Sequence, residues 1–301
     1  MPSKKDIRNR IRSVQSTQKI TKAMKLIAII KSKQLQNALT GMKHYSEQVS
    51  SLTNKAIKNL DIDNSAQDNF PKLLKPIAKD SNPCLIILTS DRGLCGSYNS
   101  QVLKYVHLKI EEMQSQNKKV KLVLIGTKAN VYAKKFFQDC EILGKFIGLS
   151  VLPSAQDSEN IFNLVETSFN EGKISSVEII HNRFVSMIKS QVTQTKLIPF
   201  TQEQQSEKDK SSNNLNDMVL FEPSVLDLVQ TLIPLYCKNQ IHQALLLARA
   251  SELSNRVNAM GAATDNAKAL MNQLTLSYNK ARQASITQEI AEIVSGAESL
   301  K

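Results

Sequence analysis

The two ends of the chain carry apolar and small residues at alternating intervals of three and four, which is the repeat of a left-handed coiled coil. The series in the first end comprises Leu35, Ala38, Met42, Tyr45, Val49, Leu52 and Ala56. The series in the last end comprises Leu253, Val257, Met260, Thr264, Ala267, Met271, Leu274, Tyr278, Ala281 and Ser285. No proline occurs in residues 3–70 or after Pro234, so neither helix need be broken. The pattern therefore predicts a coiled coil of two long helices built from the chain termini.

Positive charge is concentrated in the first of these predicted helices. Residues 1–60 contain 13 Lys or Arg residues and only two acidic residues, Asp6 and Glu47, so they hold a net +11 of the +12 carried by the whole chain. A solvated helix usually mixes both signs, because like charges four residues apart repel each other. The one-signed helix indicates an acidic partner: nucleic acid, an anionic lipid surface or an acidic protein surface.

The middle of the chain alternates between short apolar segments and helical patterns. Residues 84–88, 120–125, 141–149, 177–184 and 191–200 have the composition of strands, and helical patterns separate the first four of them. This alternation predicts an α/β domain over residues 81–200 with a mostly parallel sheet. Linkers at 61–80 and 201–220 would join it to the long helices at 1–60 and 221–301, and the second linker is polar enough to be mobile.

No segment of the sequence supplies a recognisable catalytic or cofactor site. The turn that contains Gly93, Cys95 and Gly96 lacks the third glycine of G-x-G-x-x-G, and no G-K-[ST] phosphate loop occurs. We expect its two glycines to permit a tight turn with φ > 0. The four cysteines lack C-x-x-C spacing and the four histidines lack H-x-x-x-H spacing, so we predict neither a zinc site nor a disulfide framework. We also predict no catalytic residue and no cofactor.

Three segments of the sequence resemble the gamma subunit of the F-type ATP synthase. They are S-V-Q-S-T-Q-K-I-T-K-A-M at 13–24, T-S-D-R-G-L-C-G at 89–96 followed by Asn99, and A-T-D-N-A at 263–267 followed by S-Y-N-K-A-R-Q-A-S-I-T-Q-E at 277–289. The likeness is collinear along the chain and is most specific near its end. The family's fold is an antiparallel coiled coil of the N- and C-terminal helices beside a Rossmann-like central domain, which agrees with the α/β pattern and long helical extensions derived above.

The resemblance implies a non-catalytic rotor shaft, present in one copy per complex. In the family, the coiled coil lies inside a hexameric ring of alpha and beta subunits. The α/β domain contacts the epsilon subunit and the c-ring, and ion-driven rotation changes the state of the beta catalytic sites. An acidic beta-subunit loop would be the partner of the basic helix, which implies shaft or coupling roles for the following residues: Lys19, Lys22, Met24, Lys25, Lys31, Lys33 and Glu289. The matching Arg282 and Gln283, with Thr287, would hold a beta-subunit loop in one rotary position.

Some residues depart from the family pattern. Bulky apolar side chains replace part of the usual run of small residues at 26–30, and Gly261 stands where Lys is frequent. A glycine inside a helix costs roughly 1 kcal/mol relative to alanine, so these differences put local packing in question. The chain also lacks the paired-cysteine insertion of the chloroplast form.

The predicted location follows from the resemblance and from the N-terminal segment. An acid-poor amphipathic N-terminus is also typical of organellar targeting peptides, but here the pattern continues into the heptads without a break. We therefore expect a bacterial protein at the cytoplasmic face of the inner membrane, held there peripherally through its complex.

Two other functions remain open from the residues alone. A nucleic-acid-binding protein with a basic coiled-coil arm would explain the charge of the first helix, although that helix lacks interleaved stacking aromatics. An α/β enzyme with helical extensions would explain the middle of the chain, although no catalytic constellation accompanies it. The resemblance favours the rotor shaft, and with it an absence of nucleic acid among the partners.

Overall fold

A computed structural model of the chain describes residues 4–59, 72–74, 82–186, 190–200, 222 and 224–298. The chain divides into two compact units, one made of residues 1–30 and 256–301 and the other of residues 31–255. The predicted linker at 201–220 lies outside the described residues. So does the linker at 61–80, apart from a short 3-10 helix at Lys72–Leu74.

The two long helices lie at the chain ends, as predicted. Helix α1 spans Lys4–Lys58 and helix α5 spans Val225–Glu298, with Pro234 inside it. Ser224 caps the start of α5, because its hydroxyl oxygen accepts the backbone N–H of Asp227 at 3.1 Å. This interaction satisfies one of the backbone donors that a helix start leaves unpaired.

Between these helices lies the predicted α/β domain. Its elements are β1 Pro83–Leu88, α2 Tyr98–Ser115, β2 Lys121–Ile125, α3 Thr127–Phe136, β3 Glu141–Phe146, α4 Ala155–Asn170, β4 Ser176–Phe184 and β5 Ser190–Ile198. The strands form one sheet in the order β3-β2-β1-β4-β5. The pairs β3–β2, β2–β1 and β1–β4 are parallel, and β5 is antiparallel to β4. The sheet is therefore mostly parallel, as the alternating pattern predicts.

Apolar side chains cover both faces of this sheet. On one face, Leu85 and Ile87 of β1 share a core cluster with residues of α2 and α3. On the other face, Ile86 and Leu88 share a cluster with residues of α4, of α5 and of the last turns of α1. Because both faces are covered, every residue of β1 is buried. This explains the continuous apolar run in the sequence.

The coiled-coil series agrees with the burial in α5 but only in part with the burial in α1. All ten predicted positions from Leu253 to Ser285 are buried or partly buried. In α1, Tyr45 and Leu52 are 50% and 51% exposed, which contradicts the prediction, and the small polar residues Ser46 and Thr53 are buried instead. The cause is that this part of α1 packs against the core of the α/β domain, so its buried face follows the 3.6-residue period of a globular helix.

Candidate functional site

In the first unit, residues of α1 and α5 form an antiparallel pair. Gly261 lies against the side chain of Lys25. The hydroxyl oxygens of Thr21 and Thr264 lie 2.8 Å apart. Farther along, Lys4 Nζ lies 3.8 Å from Glu289 Oε1. Residue numbers fall along one helix as they rise along the other, so the antiparallel coiled coil is present in this unit.

The basic side chains that sequence analysis assigns to the shaft lie along α1. In the first unit, Lys19 and Lys22 are exposed, whereas Lys25 and Met24 are partly buried. In the second unit, Lys33 is exposed and Lys31 is partly buried.

These lysines contrast with others on the same helix. Lys43 Nζ lies 3.8 Å from Glu47 Oε1, one turn away, and Lys4 pairs with Glu289. Across the described ranges, none of Lys19, Lys22, Lys25, Lys31 or Lys33 lies within 4.0 Å of an acidic oxygen. Their positive charge is thus not neutralised by a direct ion pair within the described residues, and an external acidic surface can still approach it.

The three residues assigned to the beta-subunit contact lie on the exposed surface of α5. Arg282, Gln283 and Thr287 are all exposed. The hydroxyl of Thr287 donates to the backbone oxygen of Gln283 at 3.0 Å, so its proton is used within the helix. The guanidinium of Arg282 and the amide of Gln283 carry the donors suited to an external carboxylate. Their role in binding a partner stays a prediction.

Glu289 lies near the same end of α5 and contacts both helices. Its Oε1 atom accepts the hydroxyl of Ser285 at 2.9 Å and lies 3.8 Å from Lys4 Nζ. The Glu289 side chain is 66% exposed, so this pair contributes about 0–1 kcal/mol at most. Glu289 thus links the two helices weakly, and the proposed coupling role rests on the resemblance.

The turn after β1 contains the predicted Gly93, Cys95 and Gly96. Gly96 has φ 59, as expected, but the second positive φ lies at Leu94, with φ 63, and not at Gly93. Cys95 is buried, and its sulfur accepts the side-chain N–H of Asn99 at 3.2 Å. The sequence motif therefore forms a structural turn that hydrogen bonds hold together, with the sulfur inside it.

The same turn presents Asp91 to two other elements of the second unit, α3 and α5. The Asp91 carboxylate accepts the backbone N–H of Thr127 at 3.0 Å and its hydroxyl at 3.1 Å, at the start of α3. It also accepts from Arg249 Nη2 of α5 at 3.2 Å. The same nitrogen donates to the Leu149 backbone oxygen at 3.0 Å, and Nη1 donates to Glu252 at 2.8 Å. We name these residues, Asp91, Thr127, Leu149, Arg249 and Glu252, the Arg249 clamp.

The clamp is largely buried, with side chains 21% exposed at Asp91 and 15% at Arg249. Burial alone would raise the pKa of Asp91, but hydrogen bonds from the backbone of Gly148 and Thr127 and from Arg249 outweigh it and lower that pKa below its ordinary value. Asp91 is therefore ionised near neutral pH. The arrangement supplies a firm link between α5 and the carboxyl edge of the sheet.

Sequence reasoning identified the turn that holds Asp91 but missed Arg249. One signal was present: Arg249 and Glu252 form an i,i+3 charge pair inside the largely apolar and small-residue stretch from Ala244 to Leu253. A charged pair in such a stretch indicates a buried polar contact. The partner itself, 158 positions away, gives no local sign of the pairing.

The residues that the structure describes contain no group of three or more His, Cys, Asp or Glu side chains arranged to hold a metal ion. None of the described helices has an apolar segment long enough to span a lipid bilayer.

Solved structures resemble this fold. A chain of the mitochondrial ATP synthase central stalk and c-ring of Tetrahymena thermophila superimposes with a TM-score of 0.59 at 23% identity, covering 81% of this chain and 99% of that one. A chain of the Euglena gracilis mitochondrial ATP synthase gives a TM-score of 0.52 at 20% identity, covering 89% of this chain and 94% of that one. At these identities, the likeness supports the fold.

Sequence comparison covers the whole chain. A family profile described as ATP synthase matches residues 3–300. An ATP synthase gamma chain of Desulfitobacterium hafniense is 36% identical over 302 aligned residues, and one of a Synechococcus species is 34% identical over 322. Both alignments cover 100% of this chain and 100% of the relative. The chain therefore belongs to the family of F-type ATP synthase gamma subunits, which are non-catalytic parts of the synthase.

Proposed function

We propose that this chain is the central rotor shaft that couples ion-driven rotation of a membrane c-ring to ATP synthesis at alpha and beta catalytic subunits. The observation that carries the proposal is the family match over residues 3–300, because it includes both terminal segments that form the antiparallel helix pair. A shaft performs no bond chemistry itself. It needs stiffness, an asymmetric surface and side chains that contact its partners.

The surface of α1 supports a contact with an acidic partner. The lysines Lys19, Lys22 and Lys33 are exposed and have no direct ion pair within the described ranges. An acidic loop of the beta subunit is the partner that we propose for them. Exposed charges of opposite sign attract each other over roughly 8–10 Å at physiological salt. Such a loop can therefore follow the helix as it turns without forming one fixed contact.

The end of α5 supports a second, more specific contact. Arg282 and Gln283 present donors to solvent, and apolar side chains nearby are also exposed, with Ile286 at 46% and Ile290 at 56%. We propose that Arg282 and Gln283, with Thr287, hold a beta-subunit loop in one rotary position. Hydrogen bonds to charged groups contribute about 1.5–3 kcal/mol each, which is firm enough to define a state and weak enough to be broken at each step.

The Arg249 clamp supports transmission of torque within the second unit. Its hydrogen bonds connect α5 to the turn after β1, to the start of α3 and to the segment at Leu149. A force on the α/β domain would then act on α5 directly.

We propose that the α/β domain contacts the epsilon subunit and the c-ring. The chain would thus be a peripheral protein at the cytoplasmic face of a bacterial inner membrane, present once per complex.

Co-purification tests the proposal. An affinity-tagged chain should retain alpha, beta and epsilon subunits from its own cells. Reversal of Lys19, Lys22, Lys25, Lys31 and Lys33 to Glu should weaken that recovery or uncouple ATP hydrolysis from pumping, whereas each single reversal should have little effect because an exposed pair contributes about 0–1 kcal/mol. The same five positions changed to Gln separate lost attraction from new repulsion.

Two outcomes would contradict the proposal. If the tagged chain recovers RNA with a steep salt dependence and no synthase subunit, the basic helix serves nucleic acid. If the five-fold Glu variant assembles and pumps normally, the basic helix has no acidic partner in the complex.

A further inference from the structure

A polar cavity of about 170 Å³ lies in the second unit, between the β4–β5 hairpin and α5. Strand register places His181 opposite Thr193 on the two strands. The helix contributes Gln240 and Gln243, three residues apart and therefore on one face. The polar lining residues are His181, Arg183, Thr193, Thr195, Gln240 and Gln243. The cavity is comparable in volume to ones that hold a small organic molecule.

His181 is the most deeply buried polar side chain of this lining, with 4% of its surface exposed. Neither of its ring nitrogens has a hydrogen-bond partner among the described residues. Burial, with a smaller effect from Arg183, lowers its pKa to about 4, so the ring is neutral near pH 7. A neutral imidazole has one N–H donor and one acceptor nitrogen. Buried polar atoms in native proteins are nearly always satisfied, which indicates that something in the cavity completes them.

The charge of the lining selects the kind of ligand. Arg183 is the one charged side chain among the described lining residues, and no carboxylate accompanies it. The remaining polar groups are hydroxyls, amides and the imidazole, each of which can donate a hydrogen bond. Gln243 already accepts the Ser46 hydroxyl at 3.4 Å through Oε1, and its amide N–H groups can donate to a ligand. This set disfavours a cation and suits a molecule with several acceptor oxygens.

We propose that this cavity binds a small oxyanion of the size of inorganic phosphate or sulfate. The Arg183 guanidinium supplies the charge and a planar pair of donors that match such oxygens. His181, Thr195 and Gln243 donate the further hydrogen bonds. The occupied site joins the edge hairpin of the sheet to α5 through the ligand, and it is separate from the Arg249 clamp and from the partner contacts proposed above.

Histidine ring resonances of the full-length chain test this assignment. The chain has four histidines, so a sample labelled with 15N at histidine gives few signals, and loss of one signal set in His181→Gln identifies His181. Titration with inorganic phosphate, and separately with sulfate, should shift the His181 ring signals saturably. Arg183→Gln should weaken both affinities about ten-fold or more, because it removes a charged hydrogen-bond donor. Thr195→Val, which keeps the side-chain shape, should weaken them several-fold.

Lys145→Gln is the matched control, because it removes one positive charge from an exposed position on β3. It should leave both affinities unchanged. Equal weakening by Lys145→Gln and Arg183→Gln would mean that the anions respond only to net charge, and this would overturn the proposal. His181 signals that neither anion shifts would also overturn it, since the cavity would then hold water alone. Arg183 is exposed, so its variant should fold, and equal melting temperatures would establish that.

Discussion

Arg249 of α5 donates to the carboxylate of Asp91 at 3.2 Å, across 158 positions of sequence. The same guanidinium also bonds Glu252 and the Leu149 carbonyl, so one side chain satisfies three acceptors in a largely buried place. The planar fork of arginine reaches these acceptors from two separate nitrogens, whereas lysine would have to reach all three from one. The contact fixes α5 to the edge of the sheet where the parallel strands end.

We expect Arg249→Ala to destabilise the chain by about 3 kcal/mol, the lower end for removal of one partner from a buried pair. Arg249→Lys should recover only part of this loss. Thermal unfolding of the purified chain measures both. Lys238→Ala is the control, because Lys238 also joins α5 to the α/β domain by an ion pair, with Glu159 at 2.7 Å, but its side chains are 32% and 39% exposed. If both Ala variants lose the same stability, the clamp is no stronger than a surface pair.

Asp91 predicts a pH dependence with a definite sign. Its pKa is lowered in the folded chain, so the unfolded state binds the proton more tightly. The stability contributed by Asp91 is therefore fully present above the ordinary pKa of an aspartate, and it is lost as the pH falls through the lowered value. Asp91→Asn should reduce the melting temperature near pH 7, and its difference from the wild type should shrink as the solution is acidified. A difference that is constant or grows in acid would contradict the assigned direction.

Gly261 offers a test of packing in the antiparallel pair. The three heavy atoms nearest to a Cβ built at Gly261 all belong to the Lys25 side chain, with Nζ at 3.4 Å and Cε at 3.7 Å. We therefore expect Gly261→Ala to stabilise the chain by roughly 1 kcal/mol, the helix-propensity difference between the two residues. Gly41→Ala is the matched control. Gly41 lies inside a helix too, in this case α1, and a Cβ there meets no atom within 4 Å.

Melting temperatures of the two glycine variants decide between propensity and packing. Similar increases in both would mean that Gly261 has no packing role in this chain. A decrease in Gly261→Ala beside an increase in Gly41→Ala would mean that the small residue is needed where Lys25 lies against it.

The contact proposed at the end of α5 predicts a loss of function without a loss of stability. Arg282 and Gln283 are exposed, so Arg282→Ala with Gln283→Ala should leave the melting temperature of the isolated chain nearly unchanged. In the assembled synthase, the same double variant should lower ATPase turnover and ATP-driven pumping several-fold or impair assembly, because the donors to the beta subunit are removed.

A control pair on the same helix sharpens this comparison. Lys268→Ala with Gln273→Ala also removes one cation and one amide from exposed positions of α5, and we expect it to leave both activities near the wild-type values. Wild-type ATPase turnover and pumping in the Arg282→Ala, Gln283→Ala variant would mean that these residues are ordinary helix surface. An equal loss of activity in both double variants would mean that shortening any exposed side chains of α5 impairs the complex.

Patterns that depend on nearby residues could be predicted from the sequence. The full or partial burial of all ten positions from Leu253 to Ser285 follows from a regular heptad repeat along one helix. The strands and helices of the middle follow from apolar runs between turn residues. The prediction was wrong at Tyr45 and Leu52, because α1 there packs against several elements at once and buries Ser46 and Thr53 instead.

Contacts between distant segments could not be predicted in the same way. The pairing of Arg249 with Asp91 depends on the strand order, which brings the turn after β1 to α5. The sequence predicts the second positive φ of that turn at Gly93, but it lies at Leu94. The cavity at His181 likewise forms only when the edge hairpin packs against α5. A single sequence carries no direct signal of such pairings.

Rotation of the chain inside its complex is the measurement that tests the central claim most directly. Cys84, Cys95, Cys140 and Cys237 are all buried, so a cysteine introduced at the exposed position of Lys104 can be labelled selectively with a bead. The alpha and beta ring is fixed to a surface and ATP is added. We predict that the bead turns continuously in one direction and stops when ATP is withdrawn. A complex that hydrolyses ATP while the bead stays still would contradict the proposal that this chain is the rotor shaft.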